Sequence, residues 1–538
     1  MEVDFIVVGA GSAGCILASR LSESGRYSVL LIEAGGKDRS LWLKIPVGYA
    51  KSYHNPAVNW MHWSAPEPKL NNRRLYVPRG KVIGGSGAIN AMIYVRGDRA
   101  DFDDWQAAGN PGWGFDDVLP FFRKLETHQR GESEWHGGQG PIHITPMRDG
   151  IHPISRAFLR AGAELGFAQN LDFNGETLEG VGVYDINTRN GFRSHSGVEY
   201  LKPALRRANL VLETDALAER LLFDETGRVT GVEVSQHCRL RQFHARREVI
   251  LSAGAVQSPL LLQRSGLGAG DHLQQLGIPV RRHLPAIGQN LQDHLCASFY
   301  YRSKKPTLNG LFGSLAGKAW LGAQYMLTRK GPFAMSVNQA GGFLRGNPAA
   351  DRANLQIYFN PLSYRIPNNP KAGLLPEPYP GFLIAFSACR PESRGEIRLV
   401  SPNMAAEPLI RPNYLSADKD VAEALDGMRL IRRLAGTAAL SDWVDAEVSP
   451  SQAINGDTAL LDYFRDNSGS IYHLCGTCAM GPEVARAVVD ARLRVHAVAG
   501  LRIADASVFP SITAGNINAP TMMVAEKAAD LILQDADA

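Results

Sequence analysis

The sequence has little of what marks several protein classes. Its 6 cysteines among 538 residues are too few and too scattered for a disulfide framework, so we expect a reducing compartment, the cytoplasm. Lys and Arg total 57 against 53 Asp and Glu, without a basic stripe interleaved with aromatics, which argues against a nucleic-acid partner. No apolar run reaches the roughly 20 residues that span a bilayer, and the N-terminus lacks a signal peptide's basic region. A contact peripheral to the inner membrane stays compatible with this composition.

Glycine and proline, in contrast, are abundant. The chain has 54 glycines and 31 prolines spread along its length. With 45% hydrophobic and 20% charged residues, the composition is that of a globular protein with a large core. It excludes intrinsic disorder, a collagen-like repeat and a coiled coil. The length allows two or three domains of about 150 residues each.

The first chemical motif stands at the start of the chain. Residues 3–8 are β-rich and almost continuously apolar, which is typical of a strand buried on both faces of a parallel sheet. The pattern G-x-G-x-x-G follows at Gly9, Gly11 and Gly14 and leads into a helical run at residues 15–21. In this context the three glycines permit a tight turn, a close approach of pyrophosphate and close helix–strand packing. The motif therefore predicts a dinucleotide site at a helix N-terminus.

Two further segments extend this prediction. A second strand at residues 28–32 ends in Glu33, which is placed to accept hydrogen bonds from a nucleotide ribose. The glycine-rich stretch 79–90 offers backbone that can lie against a flat ring or a phosphate without interference from Cβ atoms. Asn90, at its end, is a candidate partner for a cofactor edge. These motifs leave FAD and NAD both open, and a glycine-rich loop that only turns the chain is the alternative for the second segment.

The C-terminal region contributes a second set of polar residues. His473 is bracketed by loop-forming residues rather than by a helical stripe. A buried strand ending in Asp505 resembles the last strand of dinucleotide folds, where such an acid faces the cofactor. A helix is predicted at residues 521–533 with Asn518 as its N-cap, which leaves Asn516 free to point at a ligand. The N-terminus of this helix would place positive potential beside a reduced, negatively charged flavin.

Cys475 and Cys478 have the C-x-x-C spacing of redox and metal sites. A structural zinc site usually needs four ligands, and only His473 lies near enough in sequence to join them. A thioredoxin-like pair needs a strand before it and a helix after it, which the flanking sequence does not suggest. We therefore interpret both cysteines as packing residues and predict no metal site.

Taken together, these motifs resemble the glucose–methanol–choline (GMC) oxidoreductases, FAD enzymes that oxidise alcohols. The resemblance covers essentially the whole chain, and its motifs stand in the family's order. It rests on residues 80–90 continued through Tyr94, Gly97 and Asp103, on residues 254–268, on residues 290–294 and on residues 504–510.

The resemblance implies a catalytic pair. The family's base histidine falls on His473, and its partner before the C-terminal helix falls on Asn516, with Asn518 as the fallback. An alcohol gives up hydride readily only while its hydroxyl proton is being removed, and a neutral histidine with an ordinary pKa of roughly 6.5 takes that proton near neutrality. Asn516 would hold the oxygen and orient the C–H bond toward flavin N5, which accepts the hydride.

The resemblance also implies how FAD is held. Ile89 stands where covalent members of the family carry a histidine, so we expect non-covalent FAD. The residues predicted to contact it are Gly9, Gly11, Ser12, Ala13, Gly14, Glu33, Ala34, Trp63, Gly80, Val82, Gly85, Ser86, Asn90, Ala91, Met92, Ala218, Asp505, Ala506, Asn516 and Asn518.

The expected reaction is oxidation of a primary alcohol to the aldehyde, with electrons passed to a quinone, a protein or O2 rather than to NAD. Choline-type members often carry Glu where this chain has Gln339, and a quaternary ammonium favours carboxylate or aromatic neighbours. We therefore rank an uncharged aliphatic or aryl alcohol above choline. The alternatives are an O2-using oxidase, a choline dehydrogenase and a non-redox relative such as a hydroxynitrile lyase. A flavin-binding scaffold without activity is the remaining class, and the oligomeric state is not predicted.

The predicted fold is α/β, with a Rossmann-like FAD-binding domain and an interleaved substrate-binding domain built on an antiparallel sheet. Residues 1–140, 190–297 and 463–538 are assigned to the first domain, and residues 141–189 and 298–462 to the second. Six strands are predicted for the antiparallel sheet, at residues 140–145, 297–301, 341–345, 354–359, 382–388 and 396–400. The segment 308–333 is rich in Gly, Leu, Trp and Tyr and is interpreted as an ordinary buried helix with a connecting loop. A lid or a lipid-facing patch, formed by its helical part, is the alternative.

Overall fold

The computed structural model describes residues 1–365 and 374–538. Residues 366–373, inside the range assigned to the substrate-binding domain, lie outside the described residues. The α-helices of the described ranges are α1 Ser12–Leu21, α2 Tyr49–Ser52, α3 Arg99–Ala107, α4 Phe115–Leu125, α5 Pro153–Glu164, α6 Lys202–Ala204, α7 Gly254–Arg264, α8 Gly270–Gln275, α9 Leu308–Gly313, α10 Leu315–Thr328, α11 Asp418–Ala435, α12 Ala438–Ser441, α13 Asp457–Asn467 and α14 Asn518–Asp537.

The strands of the same ranges are short on average, and two sheets of seven strands contain the longest of them. In chain order they are β1 Glu2–Val8, β2 Val29–Ile32, β3 His62–Trp63, β4 Tyr76–Val77, β5 Ile93–Tyr94, β6 Glu126–His128, β7 Ile142–Pro146, β8 Gly180–Val183, β9 Asp185–Ile186, β10 Thr188–Arg189, β11 Phe192–Arg193, β12 Leu210–Glu213, β13 Ala216–Phe223, β14 Val229–Gln236, β15 Arg239–Leu251, β16 Leu267–Gly268, β17 Arg282–His283, β18 Leu295–Ser303, β19 Ala340–Leu344, β20 Leu355–Asn360, β21 Tyr364–Arg365, β22 Leu375–Pro376, β23 Gly381–Ala388, β24 Glu396–Arg398, β25 Leu409–Arg411, β26 Val444–Ser449, β27 Gly469–Ser470 and β28 Leu501–Ile503.

The first large sheet has the order β12-β2-β1-β15-β14-β13, with β28 paired to β15. The strands β12, β2, β1, β15 and β28 run parallel, whereas β14 and β13 continue from β15 as antiparallel neighbours. The parallel strands are nearly all apolar because helices cover the sheet; every residue of β2 is buried. Helices α1 and α14 pack against each other beside this sheet. The predicted α/β class is confirmed, and the predicted first two strands and first helix agree with β1, β2 and α1.

The second large sheet is antiparallel, in the order β26-β18-β23-β20-β19-β8, with β27 paired to β18. Its side chains alternate between two environments, as the period of two requires. On β18, Phe299 and Tyr301 join a core that includes residues of α5 and α11, whereas Ser298 and Tyr300 line a cavity on the opposite face. This sheet therefore has one structural face and one face available for a site.

Two of the six strands predicted for this sheet lie elsewhere. The residues predicted at 140–145 form β7, which belongs to a four-stranded sheet with β5, β6 and β9. Those predicted at 396–400 form β24, which pairs with β25 in a separate two-stranded sheet. Both segments alternate like sheet strands, but their hydrogen-bond partners are short neighbours, which a sequence pattern does not reveal. The strands β8 and β26 complete the sheet instead.

The predicted helix at 308–333 consists of α9 and α10. Most of α10 is exposed rather than buried; its buried residues are Gly317, Leu321 and Tyr325. The interpretation of this segment as an ordinary buried helix is therefore wrong. No helix within the described ranges is long and apolar enough to cross a membrane.

Candidate active site

A cavity of about 480 Å³ lies where the two large sheets meet. This volume is in the usual range for ligand sites. Residues from β1 and β2 line one side of the cavity, and residues from β18, β20 and β23 line the other. The predicted site residues that line it are Gly9, Gly11, Ser12, Ala13, Glu33, Ala34, Gly80, Gly85, Ser86, Asn90, Ala91, Met92, Ala218, His473, Asp505, Ala506, Asn516 and Asn518.

Three predicted residues lie outside the cavity wall. A Cβ atom on Gly14 would come within 1.8 Å of the Gly9 carbonyl oxygen, so Gly14 serves the packing of α1 on β1. Val82 is buried in a small apolar cluster behind the wall. The ring of Trp63 packs on Tyr76, with their centroids 5.3 Å apart. Its place in the wall is taken by Trp60, three residues earlier.

Two helices begin at the cavity wall without a side-chain cap. The N-caps of α1 and α14 are Gly11 and Ile517, and both residues line the cavity. Helix α7 also begins there, after Ala253, but the Asp505 carboxylate accepts from its first backbone N–H, that of Gly254. The first backbone N–H groups and positive dipole ends of α1 and α14 are thus available to a negatively charged ligand.

Close backbone approach explains the glycines of this wall. Gly9 has a φ of +102° and its Cβ would lie 2.5 Å from the Ser252 carbonyl oxygen, so only glycine fits. A Cβ on Gly11, by contrast, would have its nearest neighbour at 3.9 Å and would protrude toward the cavity. The Cβ of a residue replacing Gly85 would contact the Gly11 Cα at 2.7 Å. This bare main chain, together with the uncapped helices, fits the dinucleotide that the sequence predicts.

The two acids of this wall support its turns. The Glu33 carboxylate accepts hydrogen bonds from the backbone N–H groups of Ala10 (2.8 Å) and Gly35 (2.7 Å). Asp505 accepts from the backbone N–H groups of Gly254 and Ser507 and from a serine hydroxyl. Burial raises the pKa of Glu33 to about 7 and raises that of Asp505 as well. Contacts of either acid with a cofactor stay a prediction.

The prediction of Asn518 as an N-cap is wrong. The helix α14 begins at Asn518, and the residue in the cap position is Ile517. The Asn518 side-chain oxygen instead accepts a hydrogen bond from the Ser12 hydroxyl at 2.8 Å, which connects α14 to the first glycine turn. The Asn90 side chain also has partners within the protein, because its oxygen accepts from the Met92 backbone N–H and from the Arg193 guanidinium.

The other side of the cavity holds His473. Its backbone N–H donates to the Asp293 carboxylate at 2.6 Å, and Tyr414 and Ser470 donate to the other oxygen of that carboxylate. Asp293 thereby positions the loop that follows β27. The Arg79 guanidinium, which also lines the cavity, donates to the Tyr472 carbonyl oxygen. The histidine is thus held by its main chain, and its ring remains free for other partners.

A chain of hydrogen bonds sets the tautomer of His473. His294 Nε2 lies 2.9 Å from the Cys389 carbonyl oxygen, which can only accept, so this nitrogen carries the proton. Burial lowers the pKa of His294 to about 4, so its ring is neutral and its Nδ1 is an acceptor. His473 Nδ1 lies 2.8 Å from that acceptor and must donate to it. The Nε2 atom of a neutral His473 is therefore an acceptor, and its lone pair points toward the cavity side of the ring.

The hydrogen bonds of Asn516 agree with this tautomer of His473. The Asn516 side-chain N–H donates to His473 Nε2 at 3.1 Å, and the Asn516 side-chain oxygen accepts from the Gln356 side-chain N–H at 3.3 Å. Gln356 is in turn oriented by the Tyr358 hydroxyl, which donates to its carbonyl oxygen at 2.6 Å. Asn516 therefore presents N–H groups on the side where His473 presents its lone pair.

Burial decides the charge of His473. Desolvation, and then the neighbouring His294 and Arg79, lower the pKa of His473 well below its usual range. A histidine of lowered pKa stays neutral at physiological pH. The arrangement thus provides a neutral imidazole with an acceptor nitrogen at the cavity wall beside an amide donor, a geometry that suits a general base and an oxygen-binding group.

Seven aromatic residues also line the cavity. No carboxylate other than Glu33 and Asp505 lines the cavity within the described residues. The sequence did not single out His294, Gln356 or these aromatic residues. Only His294 had a signal, because it closes the motif at residues 290–294. The aromatic residues are Tyr49, Tyr53, Trp60, Tyr300, Tyr358, Tyr364 and Tyr472.

Gln339 does not take part in this wall. It is buried, and its side-chain oxygen accepts from the His152 backbone N–H at 2.8 Å and from the Ser155 hydroxyl at 3.1 Å. It thus holds the first turn of α5 outside the cavity, and the argument against choline from Gln339 is wrong. Cys475 and Cys478 are free, buried thiols within the apolar core, which agrees with packing roles.

Comparison with known proteins places these observations in a family. Models described as GMC oxidoreductase match residues 3–296 and 391–525. An oxygen-dependent choline dehydrogenase of Rhizobium johnstonii is 40% identical over 99% of this chain and 96% of its own length. The crystal structure of pyridoxine 4-oxidase from Mesorbium loti has a TM-score of 0.88 and 30% identity, with 98% of both chains covered. A fungal aryl-alcohol oxidase has a TM-score of 0.84 and 25% identity, covering 100% of this chain and 99% of its own.

Proposed function

This chain belongs to the GMC oxidoreductase family and is an FAD-dependent enzyme that acts on CH–OH donors, and from that premise we propose that it oxidises a primary alcohol with His473 as general base. The observation that carries the proposal is the unprotonated Nε2 atom of His473, which accepts from the Asn516 side-chain N–H 3.1 Å away at the wall of the cavity; a substrate hydroxyl placed between the two would donate to Nε2 and accept from Asn516. Neutral imidazole is the form that removes a proton.

The residues divide the reaction between them. His473 Nε2 takes the hydroxyl proton of the substrate, while its Nδ1–H keeps the bond to His294. The Asn516 side-chain N–H donates to the substrate oxygen and stabilises the negative charge that develops there. When bound, FAD supplies the acceptor for the hydride that leaves the substrate carbon. The electron pair of the C–H bond thus leaves as hydride, the proton rests on His473, and an aldehyde remains.

Uncharged aliphatic or aryl alcohols are the proposed substrates. Six tyrosines and a tryptophan line the cavity and offer flat apolar surface to a ring or an alkyl chain. Relatives named for pyridoxine and aryl alcohols support an aromatic substrate. Choline is the second candidate, because relatives at 40% identity are named choline dehydrogenase and tyrosine faces attract a quaternary ammonium.

An anaerobic panel tests these assignments. Purified holoenzyme is mixed under nitrogen with benzyl alcohol, pyridoxine, a linear primary alcohol and choline, and the loss of flavin absorbance is followed. We expect rapid bleaching by at least one uncharged alcohol and slower bleaching by choline. Bleaching by choline alone would replace the proposed substrate class with the second candidate. No bleaching by any of them would contradict the reaction itself and favour a non-redox role.

The remaining assignments are part of the same proposal. Electrons pass to a quinone, a protein or O2 rather than to NAD, and the rate at which air reoxidises the bleached enzyme, compared with an artificial acceptor, distinguishes O2 from the other two. FAD is bound non-covalently, supported by Ile89 in the cavity wall, so acid precipitation should release the flavin into the supernatant. Six free cysteines support a cytoplasmic location. Residues 1–140, 190–297 and 463–538 form the FAD-binding domain, and residues 141–189 and 298–462 the substrate-binding domain.

A further inference from the structure

Helix α10 exposes apolar side chains along its outer face. Gly317, Leu321 and Tyr325 form the buried stripe that attaches it to the protein. The outer face carries four large apolar residues, and contiguous apolar surface of this kind usually marks an interaction site. We call this surface the α10 face; its residues are Leu315 (86% exposed), Trp320 (64%), Met326 (64%) and Leu327 (86%).

The α10 face is built on a well-anchored helix. The Ser314 hydroxyl caps its N-terminus by accepting from the Gly317 backbone N–H at 3.0 Å. Near its C-terminus the Tyr325 hydroxyl donates to the Gly191 carbonyl oxygen at 2.9 Å. The outward orientation of the apolar side chains is therefore a property of the fold rather than of a loosely attached segment.

The segment that carries this face is basic in sequence, although Arg302, Lys305 and Arg345 pair with acids of other segments. Residues 294–350 contain seven basic residues and no Asp or Glu, in a chain that is nearly neutral as a whole. Lys318 and Lys330 are exposed at the face, and neither forms an ion pair within residues 1–365 and 374–538. The basic residues of the segment are Arg302, Lys304, Lys305, Lys318, Arg329, Lys330 and Arg345.

A neighbouring segment adds to the exposed apolar surface. Leu41 and Trp42 are 58% and 44% exposed. The helical turn that follows them, Pro46–Gly48, packs against the turn Pro332–Ala334 that follows α10. Two separate parts of the chain thus present large apolar side chains in the same region.

This region adjoins the wall of the active-site cavity. Leu308 and Phe312 of α9 belong to a small apolar cluster that includes Tyr49 and Tyr364. Both of these tyrosines line the cavity. The helices α9 and α10 pack against each other, so α9 stands between the cavity wall and the α10 face.

We propose that the α10 face docks peripherally on the surface of an anionic lipid bilayer. Tryptophan and leucine side chains enter the boundary between headgroups and acyl chains, and unpaired lysines attract anionic headgroups. A second copy of the chain fits less well, because a symmetric contact would bring two basic, acid-free segments together. The inference concerns a surface outside the proposed active site and does not depend on the substrate.

Vesicle sedimentation with the holoenzyme tests the proposal. Vesicles of phosphatidylcholine with phosphatidylglycerol should bind the enzyme at least about fivefold better than phosphatidylcholine alone, and added salt should weaken that binding. The double variant Trp320→Ser/Leu327→Ser should lose most of the binding, and Lys318→Glu should weaken it by about threefold. Matched controls are Leu240→Ser and Lys69→Glu, which change exposed residues elsewhere and should bind as the parent does. Bound flavin and elution volume report folding of each variant.

Three outcomes would overturn the proposal. Equal sedimentation of the parent and the double variant would show that another surface binds lipid. No sedimentation of the parent with either vesicle would remove the lipid partner. A parent that elutes as a dimer and a double variant that elutes as a monomer, with no vesicle binding by either, would identify a second copy of this chain as the occupant.

Discussion

The two walls of the active-site cavity are built in different ways. The wall from the parallel sheet consists largely of main chain: glycines, the uncapped N-termini of α1 and α14, and turns held by Glu33 and Asp505. On the side of the antiparallel sheet the wall consists of side chains, with Tyr300 and Tyr358 from the strands and His473 from the loop after β27, beside Asn516. Under the proposed function, the main-chain wall would hold the cofactor, and the side-chain wall would decide which alcohol is oxidised. We therefore expect substitutions in the main-chain wall to lower FAD affinity and substitutions in the side-chain wall to slow the reaction.

The largest effect is expected from Gly11→Val in the main-chain wall. The Cβ position of Gly11 is open, with its nearest neighbour at 3.9 Å, so the chain should fold while the side chain occupies cofactor space. We expect FAD affinity to fall by about 100-fold or more, since pyrophosphate needs close backbone approach. Fluorescence titration with FAD measures this, and circular dichroism reports folding. Gly313→Val, whose Cβ position is also open, is the control; equal affinity in the two variants would contradict this function of the wall.

His294→Ala should act on the side-chain wall without affecting the cofactor. The variant loses the acceptor that holds His473 as the Nδ1–H tautomer, so flavin reduction by alcohol should slow by about 100-fold at unchanged FAD affinity. His294→Asn, which keeps an acceptor near the same position, should restore part of the rate. Stopped-flow reduction and FAD titration separate the two readouts. Loss of FAD together with the rate would show that His294 supports structure rather than the base.

Gln356→Leu should have a smaller effect on the same wall. Gln356 donates to the Asn516 carbonyl oxygen, and without it the Asn516 amide is free to turn its N–H groups away from the substrate. We expect kcat to fall by about tenfold with less change in KM, because the lost contact matters most in the transition state. A rate equal to that of the parent would show that Asn516 is oriented by other groups.

The smallest effect is expected in the pH dependence of kcat/KM. Burial favours the neutral ring and lowers the pKa of His473, and only the neutral ring accepts a proton. The value of kcat/KM should therefore stay constant above pH 6.5, and its acidic limb should lie below the ordinary histidine pKa of roughly 6.5. A limb at higher pH would mean that a bound cofactor or substrate stabilises the imidazolium form.

The same contrast explains how far the sequence could predict the site. The glycine turns, Asp505 and His473 lie in local patterns, and the structure brings them to one cavity as expected. The prediction of Asn518 as an N-cap was wrong because the hydrogen-bond partner of its side chain is Ser12, 506 positions away in sequence. Gln356 and the tyrosines escaped notice because an alternating strand looks the same whether its second face meets solvent or a cavity. Gln339 misled for the same reason, since nothing local shows which side of the sheet it serves.

The central claim is that His473 performs the proton transfer and has no share in holding the cofactor. The variant His473→Ala tests it when FAD affinity and anaerobic flavin reduction by the best alcohol of the panel are measured on the same preparation. We predict FAD affinity within about twofold of the parent and flavin reduction slower by about 1,000-fold or more. His244→Ala, a change on the exposed face of β15, should match the parent in both. Fast reduction in His473→Ala with FAD fully bound would contradict the account.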